Sequence, residues 1–199
     1  MEDLMQMSNE QLWALFPILL EPYEPAWQEW YEQEAEQIRR AVGSENVLRI
    51  SHIGSTSVPG LLAKPTVDIL LEISEQTQLE EMRAALERTG YLYAPQPQKP
   101  APHMMFMKGY TLQGFAQKVF HLHIRYLADQ DELYFRDYLR AHPEAAAEYA
   151  ALKQQLAQRF RHDRDAYTDA KGAFVAKTTQ LARAAFPGRY LPQKASSRR

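Results

Sequence analysis

Apolar positions recur along the chain with two periods, and the switches between them outline its elements. Leu12, Leu15, Phe16 and Leu19 fall on one side of a helical wheel, which predicts a helix over Glu10–Leu20 capped by Ser8 or Asn9 and ended by Pro22 and Pro25. Trp27, Trp30, Ala35, Ile38 and Val42 repeat the helical spacing from Pro25 to Val42, and Gly43 closes that helix. Val47–Ile53 then reads as a strand. After a loop punctuated by Gly54, Pro59, Gly60 and Pro65, Val67–Ile73 is so nearly continuous in apolar residues that it predicts a buried strand. Leu79, Met82 and Leu86 give an amphipathic helix over Thr77–Thr89, ended by Gly90. Tyr91–Tyr93, Met104–Met107 and Lys118–Leu127 return to strand. The prolines of Pro95–Pro102 bar both a sheet ladder and a helix, so that segment is a loop.

From Asp131 onward only helical spacing remains, over Leu133–Ala141, Pro143–Phe160 and Thr168–Phe186. The tail 191–199 holds basic residues, proline and serines with no anchor beyond Leu191, and is expected to be disordered. A single domain over residues 1–190 is expected, of α+β class, with helices covering a sheet and a helical C-terminal third.

Composition narrows the function. Of 199 residues 45% are hydrophobic and 24% charged, the net charge is -2, and there is no cysteine. Disulfides, thiolate nucleophiles and thiolate metal sites are excluded, and a reducing, cytoplasmic setting fits. The acidic N-terminus does not read as a signal peptide, and no apolar run approaches the roughly 20 residues that span a bilayer. The charge balance gives no nucleic-acid signal, and basic and aromatic residues are not interleaved as in a single-strand groove. The expected partner is a small molecule or nucleotide.

Two stretches carry candidate chemistry. Gly54-Ser55 after a strand can bring backbone N–H groups and the hydroxyls of Ser55, Thr56 and Ser57 to phosphate oxygens. Lys64 lies too far from the glycine, and is followed by proline, for this to be a Walker A loop; the glycine spacing and the lack of an immediate helix exclude a dinucleotide fingerprint. Asp68, a carboxylate in an apolar strand, either accepts loop N–H bonds or serves a site. His121 and His123, two apart on a strand, share a face, and with Asp68 from a neighbouring strand they would form a two-histidine, one-carboxylate metal set. Arg125 follows on the same period. His52 and His103 could join the same cleft. Arg136, Lys153, Lys171 and Lys177 of the helical third could each reach back toward a ligand but read individually as solvated helix residues or ion-pair partners, and Trp27, Trp30, Tyr31, Tyr126, Tyr134, Tyr138 and Tyr149 read as packing.

The run His52-Ile53-Gly54-Ser55-Thr56-Ser57-Val58-Pro59-Gly60-Leu61, followed by Ala63-Lys64-Pro65 and Asp68-Ile69-Leu70, resembles the signature of the GrpB family of the nucleotidyltransferase superfamily. Pro22-Tyr23, Trp27, His121-Leu122-His123-Ile124, Phe135-Arg136-Asp137-Tyr138-Leu139-Arg140, Pro143, Tyr149, Leu152-Lys153, Tyr167-Thr168, Lys171 and Phe174-Val175 extend the likeness over roughly residues 20–186. The resemblance implies a nucleotidyltransferase-like mixed sheet and divalent-metal-assisted nucleotidyl transfer from a nucleoside triphosphate. It implies Gly54 and Ser55 as phosphate-binding and Asp68 as a metal carboxylate; joined to the residue chemistry above, it leaves Asp68 and Lys64 as the catalytic candidates, Gly54, Ser55, Thr56, Lys64 and Arg125 as ligand-binding, and Asp68, His121 and His123 as metal-binding, the histidines departing from the superfamily's carboxylate pattern. Superfamily members hold metal on two carboxylates separated by one residue, the second about fourteen positions after the glycine. Asp68 matches that second position, but Thr66 stands at the first. Glu72, about 13 Å along a regular strand, cannot complete a compact pair. The cofactor expectation therefore widens from magnesium to manganese or zinc, and a non-catalytic nucleotide or phosphometabolite binder and a transition-metal enzyme remain as alternatives.

Overall fold

Because successive strand residues point to opposite faces, the sequence Val67-Asp68-Ile69-Leu70-Leu71-Glu72-Ile73 divides into an apolar row and a mixed row. The computed structural model, which describes Leu4 and residues 6–192, builds the protein around that division. Its elements are α1 (Asn9–Leu15), α2 (Ala26–Val42), β1 (Arg49–Ile53), β2 (Val67–Ile73), α3 (Leu79–Arg88), β3 (Leu92–Ala94), β4 (Met104–Thr111), β5 (Gly114–Tyr126), α4 (Asp131–Ala141), α5 (Pro143–Arg159), α6 (Arg164–Asp169) and α7 (Gly172–Ala185). The strands form one mixed sheet in the order β1-β2-β5-β4-β3, with β2 and β5 parallel and the other pairs antiparallel. The expected α+β architecture, a mixed sheet covered by helices with a helical C-terminal third, is present.

Val67, Ile69, Leu71 and Ile73 join Phe120, Leu122, Ile124 and Phe106 on one face, against Trp27, Ile38 and Val42 of α2 and Met82 and Leu86 of α3. Each such side chain, fully buried, contributes about 1.5–3 kcal/mol. The other face is covered only in part. It is closed from the middle of β2 toward its C-terminal end, where Leu70 packs with Ile53 and Leu133. There Glu72, fully buried, is gripped by Arg49, whose guanidinium also reaches the Ala128 carbonyl at 2.6 Å. The C-terminal helices seat on the loop after β1, where Val58 and Leu61 meet Leu139 and Tyr149.

Several boundaries differ from expectation. The first helix stops at Leu15 because Pro17 drives Phe16 out of the helical region, to φ -123° and ψ 65°. The expected helix over Thr168–Phe186 is two, α6 and α7, the first capped by the Asp163 side chain on the Ala166 N–H. β4 and β5 run on as a hairpin through Thr111 and Gly114, beyond the apolar cores that announced them. Of the tail 191–199, residues 193–199 lie outside the described residues.

Candidate functional site

Two rungs cross four strands on the partly covered face. Asp68 pairs with His121, His121 with Met107 and Met107 with Leu92; one step along, Leu70, His123, Met105 and Ala94 follow in the same way. Matched register in adjacent strands puts each rung's side chains on one side. His121 Nδ1 lies 3.2 Å and His123 Nε2 3.5 Å from Asp68 Oδ1, and one ligand atom from each residue falls within 4.8 Å of the others. An ion with bonds of about 2.1 Å at tetrahedral or octahedral angles separates its ligands by roughly 3.0–3.5 Å, and both Asp68–histidine separations fall in that window. His121 Nε2 is 2.7 Å from the Tyr110 hydroxyl and 3.1 Å from Arg164 Nη2, which fixes its ring.

Above the rungs opens a cavity of about 820 Å³. Gly54, Ser55, Lys64, Thr66, Asp68, His121 and His123 line it, joined by Lys153, Arg164 and Lys171. Gly54 is held at φ 69° and ψ -172°, a region open essentially to glycine, and a β-carbon there would strike the Asp68 carboxylate. The glycine is thus what lets the carboxylate lie against the loop. Lys153, 2% exposed, donates to Ser55 Oγ at 2.9 Å and to the Leu62 carbonyl, tying α5 to the same loop.

Electrostatically the cavity is crowded with cations. Burial, with Arg164 and Lys171 nearby, pushes Lys64 down to about 7. Burial, with Lys171 and Lys64, lowers Lys153 to about 7. Lys171 falls to about 8, again chiefly through burial, with Asp68 opposing and Arg164 adding. Burial would raise the Asp68 carboxyl, but hydrogen bonds from His121 and His123 overcome it and hold it far below the usual carboxylate range. Burial lowers His121 to about 4, so the ring is neutral at physiological pH, as a metal ligand must be. The other acids on the cavity wall, Asp165 and Asp169, are exposed. Four cations therefore face one sheltered carboxylate.

Other residues singled out in the sequence lie elsewhere. Thr56, assigned to ligand binding, is 1% exposed; its hydroxyl donates to the Thr66 carbonyl and meets the His52 ring, so it braces the loop from behind. Arg125, given the same role, spends its guanidinium on the carbonyls of Met104 and Ile124 and does not line the cavity. His52 pairs with Ile69 and so faces away from Asp68, stacked on Tyr31. His103 and Lys177 are not among the lining residues, and Arg136 is bound to the His52 carbonyl. Tyr149 packs in the core as expected and also borders the cavity. Arg164 and Tyr110 carry no motif or spacing that marks them as site residues in the sequence. The one available sign was Arg164's place just after a capping aspartate, which says nothing about where its side chain goes.

The family model described as GrpB protein matches residues 17–181. A UPF0157 protein of Pseudomonas aeruginosa is 42% identical over 168 residues, covering 82% of this chain and 67% of that protein. UPF0157 protein YqkA of Bacillus subtilis is 32% identical over 81% of this chain, which spans only 46% of the length of that relative. Among solved structures, the conserved protein GrpB from Enterococcus faecalis superposes with a TM-score of 0.74 at 34% identity, over 84% of this chain and 99% of that one.

Proposed function

The chain belongs to the GrpB family, and from the site its signature loop helps to build we propose a nucleotidyltransferase-like enzyme that takes a phosphate-bearing small molecule together with one divalent metal. The observation that carries this reading is the convergence of an Asp-His-His donor set with Lys64, Lys153, Lys171 and Arg164 in one cavity. Buried and half-buried cations gathered around a single carboxylate call for an anionic ligand, and several phosphoryl oxygens are the economical match.

Asp68, His121 and His123 would hold the ion. Nitrogen donors, with Thr66 in place of a second carboxylate, favour zinc or manganese over a magnesium pair. The ion would supply Lewis-acid polarisation of a phosphoryl oxygen. Lys153, Lys171 and Arg164 would neutralise charge on the transferred group, and Lys64, near its midpoint at neutral pH, would hold or release a proton beside it. Gly54 keeps the loop clear of the carboxylate, and Ser55, fixed by Lys153, offers its hydroxyl at the same wall.

Calorimetric titration with zinc and manganese, in the presence and absence of a non-hydrolysable nucleoside triphosphate, tests this. Asp68→Asn is expected to weaken metal binding by more than the roughly 10–100-fold typical of a lost outer-shell partner, and to remove the metal dependence of nucleotide binding. Nucleotide binding that is equal with and without chelator would sink the metal-assisted reading. Thr66 favours one alternative, a binder without turnover: metal-dependent nucleotide binding with no pyrophosphate release would select it.

A further inference from the structure

The cavity does not end at the charged residues. Along each rung the side chains change in order, from Asp68 or Leu70 on β2 to histidine on β5, methionine on β4, and Leu92 or Ala94 on β3. Met105 and Met107 are only half-buried although β4 is flanked by strands on both sides, and they line the cavity together with the half-buried Leu92 and Ala94 of the edge strand β3. Leu12 and Trp13 of α1 line the same cavity. The helix is capped at both of its Ser8–Gln11 hydrogen bonds, yet none of its residues is buried. Its apolar side, which the sequence marks as a buried stripe, is thus incompletely covered by protein.

From this we infer that the β3–β4 half of the cavity is a subsite for the hydrocarbon body of a phosphomonoester substrate, whose phosphate sits among Lys64, Lys153, Lys171 and Arg164. The inference rests on the phosphate-binding reading above and adds the substrate class. Two strand spacings from β5 to β3 give this floor a length of about 10 Å. Its side chains are aliphatic or thioether, flexible enough to close on an alkyl chain. The side chains of Leu12 and Trp13 offer no acceptor. A nucleobase placed there would lose the hydrogen bonds its ring edges make to water, whereas a hydrocarbon loses nothing and leaves water. Asn9 and Gln96 also line the cavity, and Gln96 is already turned to the Ala94 carbonyl and the Met105 sulfur.

The test is a binding series on the full chain by calorimetry, with inorganic phosphate, methyl, butyl, hexyl and phenyl phosphate, and adenosine monophosphate. Affinity is expected to rise about two- to fourfold per added methylene, until the chain spans the floor. The increment is an internal ratio, so it can be read in variants whatever their absolute affinity. Leu92→Gln and, separately, Trp13→Ala are expected to flatten it, and the second variant guards against misfolding of the first. Hexyl phosphate tighter than phenyl phosphate upholds the inference with a chain as occupant, and the reverse upholds it with a ring. Phosphate binding with no dependence on chain length overturns the inference and leaves the phosphate reading standing. Adenosine monophosphate binding tighter than both hexyl and phenyl phosphate overturns it in favour of a base. Failure of every anion to bind overturns both.

Discussion

The two faces of the sheet are made by alternate residues of the same strands, yet they obey different rules. On the α2–α3 face, Val67, Ile69, Leu71 and Ile73 of β2 and Phe120, Leu122 and Ile124 of β5 are all buried against apolar partners. On the other face, the neighbours of those residues are Asp68, Glu72, His121 and His123, and each polar group there has a particular answer to its burial. Glu72 has Arg49, Asp68 has two imidazoles, and His121 has Tyr110 and Arg164. The three lysines of the cavity have no ion-pair partner among the described residues and are depressed in pKa. The contrast locates stability on one face and unmet electrostatic demand on the other, and three experiments can break or sharpen it.

The largest effect is expected from Leu122→Ala. Leu122 is fully buried and lies between the two histidines in sequence, but on the opposite face. Removing it should cost about 2–5 kcal/mol in a urea titration, while metal affinity at 25 °C stays within about threefold, since register rather than Leu122 itself sets the histidine positions. A large loss of metal affinity in the folded variant would show that the faces are coupled, and the division would fail.

Gly54→Ala should cost less stability and more function. The glycine-only backbone conformation costs an alanine about 1–3 kcal/mol, and the new methyl group would displace the Asp68 carboxylate. Metal affinity should fall at least about tenfold, on the scale of a disturbed ligand environment. Unchanged affinity would mean that Asp68 binds no metal.

How far the sequence announced this division depends on the kind of signal each part leaves. The strands β2 and β5 were legible because their core-facing residues are almost uniformly apolar, and Gly54, Asp68 and the two histidines because each breaks a pattern: a glycine after a strand, a carboxylate in an apolar run, a repeated imidazole. The joining of those residues required knowing that β2 and β5 are adjacent, which the resemblance supplied and spacing alone did not. Lys153, Lys171 and Arg164 were not legible as a cluster. On a helix wheel a lysine that enters a cavity looks the same as one that enters water, and only the docking of α5 and α6 on the loop after β1 separates the cases. The shortened first helix is different, because Pro17 is a readable stop signal that acts on the residue before it, Phe16.

The smallest effect, and the one that addresses the cations directly, is the pH dependence of anion binding. Lys64 and Lys153 are held down to about 7 and Lys171 to about 8, in each case mainly by burial. In the unfolded chain these groups keep their protons to far higher pH. Between roughly pH 7 and 10 the unfolded state therefore binds more protons, and the stability of the free protein rises with pH on their account; it is lowest where the lysines are charged in the native state. An anion selects that charged form. Sulfate, whose own charge is constant over this range, should stabilise the protein most near pH 6.5, by about 1.4 kcal/mol or 3–6 °C in Tm at ten times its Kd. The shift should shrink as pH rises through 7 to 8. Titrations at pH 8.5 in two buffers of different ionisation enthalpy should show proton uptake on binding, and Lys153→Met should reduce that uptake. A thermal shift that is flat with pH, with no uptake, would place the anion away from the lysines and return the partly covered face to the ordinary rules of a solvated surface.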